Sequence, residues 1–276
     1  MRPLFANLFR DRLVLLAVAI LVVLLLSAVF APLLPIGRPD QIGFGPRLSP
    51  PDLANLFGTD QLGRSVLARV LQGVQSTTLL STIAVLISGL ISAMVAMMSA
   101  YYSPVSDEVF SRISDVMFSF PPILCGILVV AVLSPGTVSA MAVISLVTFP
   151  TMLRVVRAAT LGIMKLDFVV VAEISGVSFL RRVFTHILPN VSSVIAVQLI
   201  YSISFGMILE SAMSFLGIGV QPPVASLGTL IRDGMSYMEI APWLTFSAGI
   251  VLSLAILSIN LLGDGLKRLV DPLERA

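Results

Sequence analysis

The sequence predicts an all-α, polytopic membrane protein with six transmembrane helices. Hydrophobic residues make up 57% of the 276-residue chain, charged residues make up only 12%, and the mean hydropathy is +1.02. Soluble domains carry about 25% charged residues, so a water-soluble core could not bury this much apolar sequence. The apolar residues form six long segments with basic residues between them. The expected solvent is therefore the lipid bilayer, and this charge pattern does not favour nucleic-acid binding.

The six apolar segments are the candidate spans. A helix needs about 20 apolar residues to cross the hydrocarbon core. The third and fourth segments are shorter because prolines interrupt them, so we expect both to recruit flanking helix inside the bundle. The first is longer than the roughly 7–15 apolar residues of a signal peptide, so we expect it to be retained. In order, the segments are Leu13–Leu34, Thr78–Tyr101, Pro121–Leu133, Val138–Leu153 with a break near Pro150, Val191–Ile218 and Trp243–Leu262.

The distribution of Lys and Arg predicts the orientation of the chain. If the N-terminus is cytoplasmic, the inner loops hold 12 of the 17 basic residues and the outer loops hold 5. This is the direction of the positive-inside rule, and it places both termini in the cytoplasm. The predicted organisation is a cytoplasmic tail (1–12), a first transmembrane helix (13–35), an outer segment with a surface helix (36–73), a five-helix domain (74–265) and a cytoplasmic tail (266–276).

A polar loop, residues 166–190, interrupts the five-helix domain. Asp167 suits the N-cap of a first short helix, Phe168–Ser175, because its carboxylate can accept hydrogen bonds from the first-turn amides. Gly176 suits a left-handed C-cap position. From these residues alone, the loop is either a simple connector or a surface that another protein binds. A second helix would begin near Ser178, carry Arg181, Arg182 and His186, and end at Pro189.

Glu210 is the one acid deep in an apolar run. A carboxylate at membrane depth is costly and suggests a functional role. The alternative is a hydrogen-bonded residue that stabilises the helix bundle, and the sequence leaves both open. Small residues nearby, Ser211, Ser214 and Gly217, permit close helix packing, so this group is a candidate for the pathway or the bundle core.

The sequence contains no convincing catalytic or metal constellation. His186 is the only histidine and Cys125 the only cysteine, which is too few for a metal site or an intramembrane protease. The stretch Gly58–Ser65, GTDQLGRS, nearly fits a phosphate-binding loop, but arginine replaces the lysine and no strand precedes it. We expect a turn before a helix at the outer surface, and we expect no enzymatic activity and no cofactor bound by this chain.

Five ordered motifs resemble those of one family of membrane proteins. They are the loop pattern from Asp167 to Asn190 (DFVVVAEISGVSFLRRVFTHILPN), Gly58–Arg64 (GTDQLGR), Phe120–Pro122 (FPP), Leu209–Pro223 (LESAMSFLGIGVQPP) and Asn260–Leu266 (NLLGDGL) followed by Asp271-Pro272. On these motifs, which span nearly the whole chain, the protein resembles the permease subunits of bacterial binding-protein-dependent ABC importers. The similarity is to the C-type permease of the dipeptide, oligopeptide and nickel branch.

The resemblance implies a type I ABC importer (MetI-like) permease fold in the bacterial inner membrane. It implies four kinds of partner: a homologous second permease, two ABC ATPase subunits that bind ATP and magnesium, a periplasmic substrate-binding protein, and lipid. The expected function is translocation of di- or oligopeptides. Nickel and glutathione are alternative substrates, and a stand-alone secondary transporter is the rival class.

The resemblance also assigns the polar loop to coupling with the ATPase subunits. In this family the corresponding "EAA" loop docks into a groove on the ATPase. The motif's glutamate position falls on Val170, within Val170-Val171-Ala172, so a capping-box glutamate is missing, and Glu173 lies one turn later. The coupling residues implied by the resemblance are Asp167, Val170, Ala172, Glu173, Gly176, Ser178, Arg181, His186 and Pro189.

Overall fold

The computed structural model describes residues 11–53, 55–102 and 104–270 of the chain. Within these ranges the chain is helical, and the only β feature is an isolated bridge between Thr59 and Ser65. The N-terminal tail up to residue 10 and the Asp271-Pro272 motif lie outside the described residues.

The helices follow the apolar segments closely. They are α1 (Arg12–Phe30, extended by a 3-10 turn, Ala31–Leu33), α2 (Val66–Tyr102), α3 (Pro104–Phe118), α4 (Pro122–Leu133), α5 (Thr137–Met164), α6 (Asp167–Ile174), α7 (Phe179–Arg182), a π-helical turn (Val183–Ile187), α8 (Leu188–Phe215), α9 (Leu227–Met235) and α10 (Trp243–Val270).

Five of these helical segments are long and apolar enough to cross a membrane, and a sixth crossing requires two helices together. Helix α4 has only 12 residues, about 18 Å of helix, which is shorter than the hydrocarbon core. Helix α3 precedes it at an angle of 90°. The third span therefore recruits flanking helix as expected, but through a sharp bend instead of a straight extension.

The packing clusters define the two ends of the bundle. At one end, Ala28 of α1 packs with Val66 and Val70 at the start of α2. At the other end, Met97 near the end of α2 packs with Val183 in the π turn. Helices α1 and α2 are therefore antiparallel, and the polar loop lies at the end where α1 begins. We call this the elbow end and the opposite one the far end.

The two described chain ends meet at the elbow end. Arg268 in the last turn of α10 donates to the Asp11 carboxylate at 2.7 Å, and Asp11 also caps α1 by accepting from the Leu13 amide at 2.9 Å. Both ends of the described chain therefore lie on one side of the bundle. The alternation of the spans is the one that the six-span prediction requires.

Hydroxyl groups hold the central helices together where no apolar driving force exists between helices in lipid. The Ser88 hydroxyl of α2 donates to the Ser145 carbonyl at 2.9 Å, and the Ser145 hydroxyl of α5 donates to the Ala84 carbonyl at 3.0 Å. Small hydroxyl side chains allow close approach and satisfy each other across the interface. Helices α2 and α5 thus form a rigid pair against which α8 packs.

Two sequence predictions about helix boundaries are wrong. Helix α5 is not broken at Pro150, because the proline lies buried inside a continuous helix supported by neighbouring helices. The predicted surface helix before residue 73 is also absent as a separate element. Helix α2 begins at Val66 and runs through residue 73 into the span, since its first turns pack against α9 and α10 in the far-end core.

Candidate docking site: the glycine elbow

The polar loop forms an elbow, residues 167–189, between α5 and α8. Its first helix, α6, begins one residue earlier than predicted, so Asp167 is not the N-cap. Leu166 occupies that position with an extended backbone, and its carbonyl accepts from the amides of Val169 and Val170 at 2.9 and 3.2 Å. Only Lys165 and Leu166 connect α5 to α6. Asp167 lies in the first turn instead, where the helix dipole favours its charge.

This shift also corrects the position assigned to Val170. With Leu166 as N-cap, the capping-box position is Val169, which is buried. Val170 is the fourth helical residue, and 39% of it is exposed. A glutamate at Val170 therefore could not complete a capping box in this helix.

Gly176 ends α6 as the sequence predicts. Its φ of +77° lies in the left-handed region, which other residues rarely adopt. The Gly176 amide donates to the Glu173 carbonyl at 3.0 Å, and the Val177 amide donates to the Ala172 carbonyl at 3.1 Å. This pair of bonds is a Schellman motif, which satisfies the last carbonyls of the helix and reverses the chain.

An ion pair closes the elbow across Gly176. Glu173 in the last turn of α6 accepts from Arg182 of α7 at 2.8 Å. The Arg182 side chain is 5% exposed and the Glu173 side chain is 55% exposed, so the pair lies at the rim of the buried core. A second contact joins the Phe168 ring to the His186 ring, with centroids 6.0 Å apart in an edge arrangement. The elbow is therefore a folded unit with contacts between its two arms.

The second arm differs from the prediction of a short helix ending at Pro189. Ser178 precedes α7 as expected, but the helix then continues through the π turn into α8 without a break. Pro189 has no amide hydrogen to donate, and the wider π turn just before it absorbs this defect. The Asn190 side chain donates to the His186 carbonyl at 2.6 Å, so a side-chain donor serves a carbonyl next to the proline. The elbow is thus joined rigidly to span five.

The outer side of the elbow carries exposed apolar side chains, while its inner side packs into the elbow-end core. Val169, Val183 and Ile187 are buried against the bundle. The exposed set, here named the elbow face, consists of Val171, Ile174, Leu180 and Phe184, and Ile174 is 81% exposed. Exposed apolar side chains on an ordered, charged segment are typical of a protein-docking surface. Sequence reasoning concentrated on the polar residues of the loop and missed this face.

Glu210 lies on the same helix as the elbow but far from it. Twenty-one residues of helix separate Pro189 from Glu210, which is about 31 Å. Glu210 is 0% exposed and accepts hydrogen bonds from Ser214 at 2.6 Å, from Thr77 of α2 at 2.8 Å and from Ser211 at 3.4 Å. All of these partners lie inside the chain, as the bundle-stabilising interpretation expects.

The Glu210 network also fixes the chain that follows α8. The Thr77 hydroxyl accepts from the Leu227 amide at 3.2 Å, and the Ser214 hydroxyl accepts from the Val220 amide at 3.0 Å. Gly217 ends α8 with a φ of +82° and a second Schellman pair, in which the amides of residues 217 and 218 donate to the carbonyls of residues 214 and 213. The carboxylate thereby anchors α8, α2 and the start of α9 to one another at the far end.

The GTDQLGR motif is a charged turn at the far end. Asp60 is buried and accepts from the Arg64 side chain at 2.6 Å and from Arg69 of α2 at 2.9 Å. The same carboxylate accepts from the amides of residues 62 and 64, which folds the turn around it. Arg69 also lies 3.8 Å from Asp233 of α9. The motif therefore ties the segment before α2 to the bundle. Helix α2 follows the turn, but no strand precedes it among the described residues, unlike in a phosphate-binding loop.

The NLLGDGL motif serves the packing of α10 against α8. Asp264 of α10 accepts from the Tyr201 hydroxyl of α8 at 2.5 Å. A Cβ atom on Gly263 would lie 3.1 Å from the Tyr201 ring, so the glycine allows this close contact. The motif holds span six against span five.

Comparisons with known proteins agree on one family. Residues 86–276 match the family model described as "Binding-protein-dependent transport system inner membrane component". The chain is 31% identical to the dipeptide transport system permease protein DppC of Alkalihalophilus pseudofirmus, over 98% of this chain and 89% of that protein. It is 35% identical to the dipeptide transport system permease protein DppC of Haemophilus influenzae, over 79% of this chain and 74% of that protein.

A solved structure shows the same fold. The chain resembles an inward-facing structure of the MetNI methionine ABC transporter with a TM-score of 0.59 and 16% sequence identity. The match covers 74% of this chain and 96% of that one. The architecture is therefore that of a MetI-like permease.

Proposed function

Because the chain belongs to the family of binding-protein-dependent transport system inner membrane components, we propose that it is the permease subunit of an ATP-driven importer of di- and oligopeptides. Family members are transport components of the membrane, and ATP hydrolysis belongs to separate subunits. The peptide substrate is proposed from the named relatives, with glutathione and nickel as the competing substrates. The main structural support for an ATPase partner is the elbow face.

The elbow face supports docking to an ATPase subunit. It presents large apolar side chains on the folded segment between α5 and α8, and an ion pair and a Schellman motif hold that segment in shape. A pre-formed surface binds without the cost of ordering a loop. We expect Val171, Ile174, Leu180 and Phe184 to be covered in the assembled complex.

The continuity from elbow to span five supports a mechanical role. Helix α7, the π turn and α8 form one unbroken helical path from Phe179 to Phe215. A displacement of the elbow by the ATPase therefore moves α8 as a unit, and the Glu210 network passes that movement to α2 and α9 at the far end. ATP shifts the equilibrium between inward and outward states only if its binding free energy differs between them.

The remaining partners and the orientation belong to the same proposal. A homologous second permease completes the pathway, a substrate-binding protein docks at the far end, and the elbow and both termini lie in the cytoplasm. The bias of basic residues supports this orientation.

Thiol labelling tests the orientation. A single cysteine in place of Ser178, in a Cys125→Ser background, should react with an impermeant thiol reagent only from the cytoplasmic side. Labelling from the outside would reverse the assignment.

Co-purification tests the ATPase assignment. The chain, co-expressed with its partner subunits, should retain two ATPase subunits in detergent, and Ile174→Ser should release them. Leu33→Ser is the matched control, because Leu33 is 80% exposed at the far end.

A stand-alone secondary transporter would instead import substrate in proteoliposomes without any ATPase subunit. Competition of labelled trialanine uptake by glutathione or nickel would identify the alternative substrates.

A further inference from the structure

A groove lined by polar and aromatic side chains lies on the surface of the chain, away from the Glu210 network. It has a volume of about 240 Å³ and lies between α5 and α8. Both helices have 28 residues, and the groove lies at the midpoint of each. Its lining consists of Thr148, Thr151, Gln198, Tyr201, Ser202 and Phe205. The four residues from α8 follow the spacing i, i+3, i+4 and i+7, so they share one face of that helix.

The Gln198 carboxamide in this groove has hydrogen-bonding groups that the described residues do not satisfy. The Gln198 side chain donates to the Ser202 hydroxyl at 3.4 Å, a long contact. Among the residues that the structure describes, this is the only hydrogen bond of the Gln198 carboxamide. A carboxamide has two donors and an acceptor, so a donor and the oxygen remain available. Glu210, by contrast, is satisfied entirely by internal partners.

A face with available polar groups at the middle of two spans is unsuited to lipid. Lipid tails offer no hydrogen-bond partners, and each unsatisfied group costs several kcal/mol there. Large apolar side chains are exposed on another span, α10, where Phe246, Ile250 and Leu254 are open to the surroundings. The groove therefore faces either water or another polar molecule.

The aromatic residues of the groove are fixed in different ways. The Tyr201 hydroxyl donates to Asp264 at 2.5 Å, so α10 holds the tyrosine ring in place beside Gln198. The Phe205 ring also lines the groove and is exposed. The lining thus combines one available carboxamide with apolar ring surfaces and contains no charged side chain.

We propose that this groove is a wall of the translocation pathway and that the Gln198 carboxamide hydrogen-bonds to the backbone amides of a peptide in passage. The proposal rests on the peptide importer proposed above. A carboxamide matches the N–H and C=O groups that every peptide carries, whatever its side chains. The volume is below the range of about 300–1,000 Å³ for complete ligand pockets, as expected for one wall that a second subunit completes. The absence of charge in the lining keeps the contact weak enough for release.

Uptake by Gln198 variants tests the contact. The complete complex in proteoliposomes would import labelled trialanine delivered by the binding protein. Gln198→Leu should lower uptake by about three- to tenfold, the loss expected for one hydrogen bond, and leave ATPase assembly intact. Gln198→Asn should retain most of the uptake. Gln75→Leu, the same change at an exposed glutamine of the far end, should behave as wild type.

Thiol accessibility tests whether the groove is a wetted pathway. In a Cys125→Ser background, a cysteine at Gln198 should react with a hydrophilic methanethiosulfonate reagent and be protected by trialanine. A cysteine at Ile250, which is exposed on the isolated chain, should not react because lipid covers it. An unreactive cysteine at Gln198, or Gln198→Leu with wild-type uptake, would overturn the groove assignment alone. A wild-type complex that imports no trialanine would instead overturn the proposed function.

Discussion

The conformation of Gly176 makes the elbow sensitive to a side chain at this position. Its φ is +77°, and a Cβ atom built there would meet nothing within 4 Å. A substitution therefore causes no collision within the chain, and its cost is the left-handed backbone alone. That cost is about 1–2 kcal/mol for an ordinary residue and greater for a β-branched one, whereas asparagine tolerates this region.

This energy is large enough to change coupling. A cost of about 1–2 kcal/mol lowers the population of the formed elbow by about 5- to 30-fold relative to conformations without the Schellman motif. We expect Gly176→Val to reduce peptide uptake per ATP hydrolysed, because the ATPase would then move an elbow that no longer holds its shape. The protein should still insert into the membrane, since the spans are untouched.

The assay compares uptake and ATP hydrolysis in proteoliposomes that contain the complete complex. Gly176→Asn should remain close to wild type. Gly162→Ala is the matched control, because Gly162 also has open space around its Cβ position but lies inside α5 without a positive φ. Equal coupling in Gly176→Val and wild type would show that the left-handed conformation of Gly176 does not matter for coupling. Equal loss in the asparagine and valine variants would show that a partner surface, not φ, excludes side chains here.

Three further predictions concern the elbow and the far end. Glu210→Ala should lower the thermal unfolding midpoint in detergent, because its two closest donors, the hydroxyls of Ser214 and Thr77, lose their acceptor at about 1–3 kcal/mol each, and an unchanged midpoint would contradict a stabilising role. A double-mutant cycle of Glu173→Gln and Arg182→Met should give a coupling energy of about 1 kcal/mol in thermal unfolding, whereas additive effects would mean that the ion pair does not close the elbow. Val170→Glu should be tolerated and should retain the ATPase subunits across a salt series, because the side chain points outward in the first turns of α6. Faster release than wild type would show that Val170 packs into an apolar site of the partner.

Local rules predicted the parts of this fold that depend on neighbouring residues. The six apolar segments correspond to the spans, and Gly176 adopts the left-handed conformation that its position after a helical stretch indicated. The start of α6 was misplaced by one residue, because Asp167 looks like a cap in isolation. The Leu166 carbonyl accepts the first hydrogen bonds of the helix, and the residue pattern gives no sign of that.

Features that depend on distant residues could not be predicted in the same way. Glu210 meets Thr77, 133 positions away, and Tyr201 meets Asp264, 63 positions away. A single sequence gives no information on such pairs. The π turn before Pro189 was also missed, because a proline normally marks a helix end and only the packed context allows the helix to continue. The elbow face had a detectable signal, a set of large apolar residues within a charged loop.

Photocrosslinking from the elbow face identifies the protein that covers this surface in the complete complex. A p-benzoylphenylalanine residue would replace Ile174, and another would replace Leu33 as the far-end control. Irradiation of the complete complex in native membranes should crosslink position 174 to an ATPase subunit, with a yield that changes when ATP is added, and should give no such product at position 33. Crosslinks from position 174 to lipid or to a substrate-binding protein, with none to an ATPase subunit, would contradict the account.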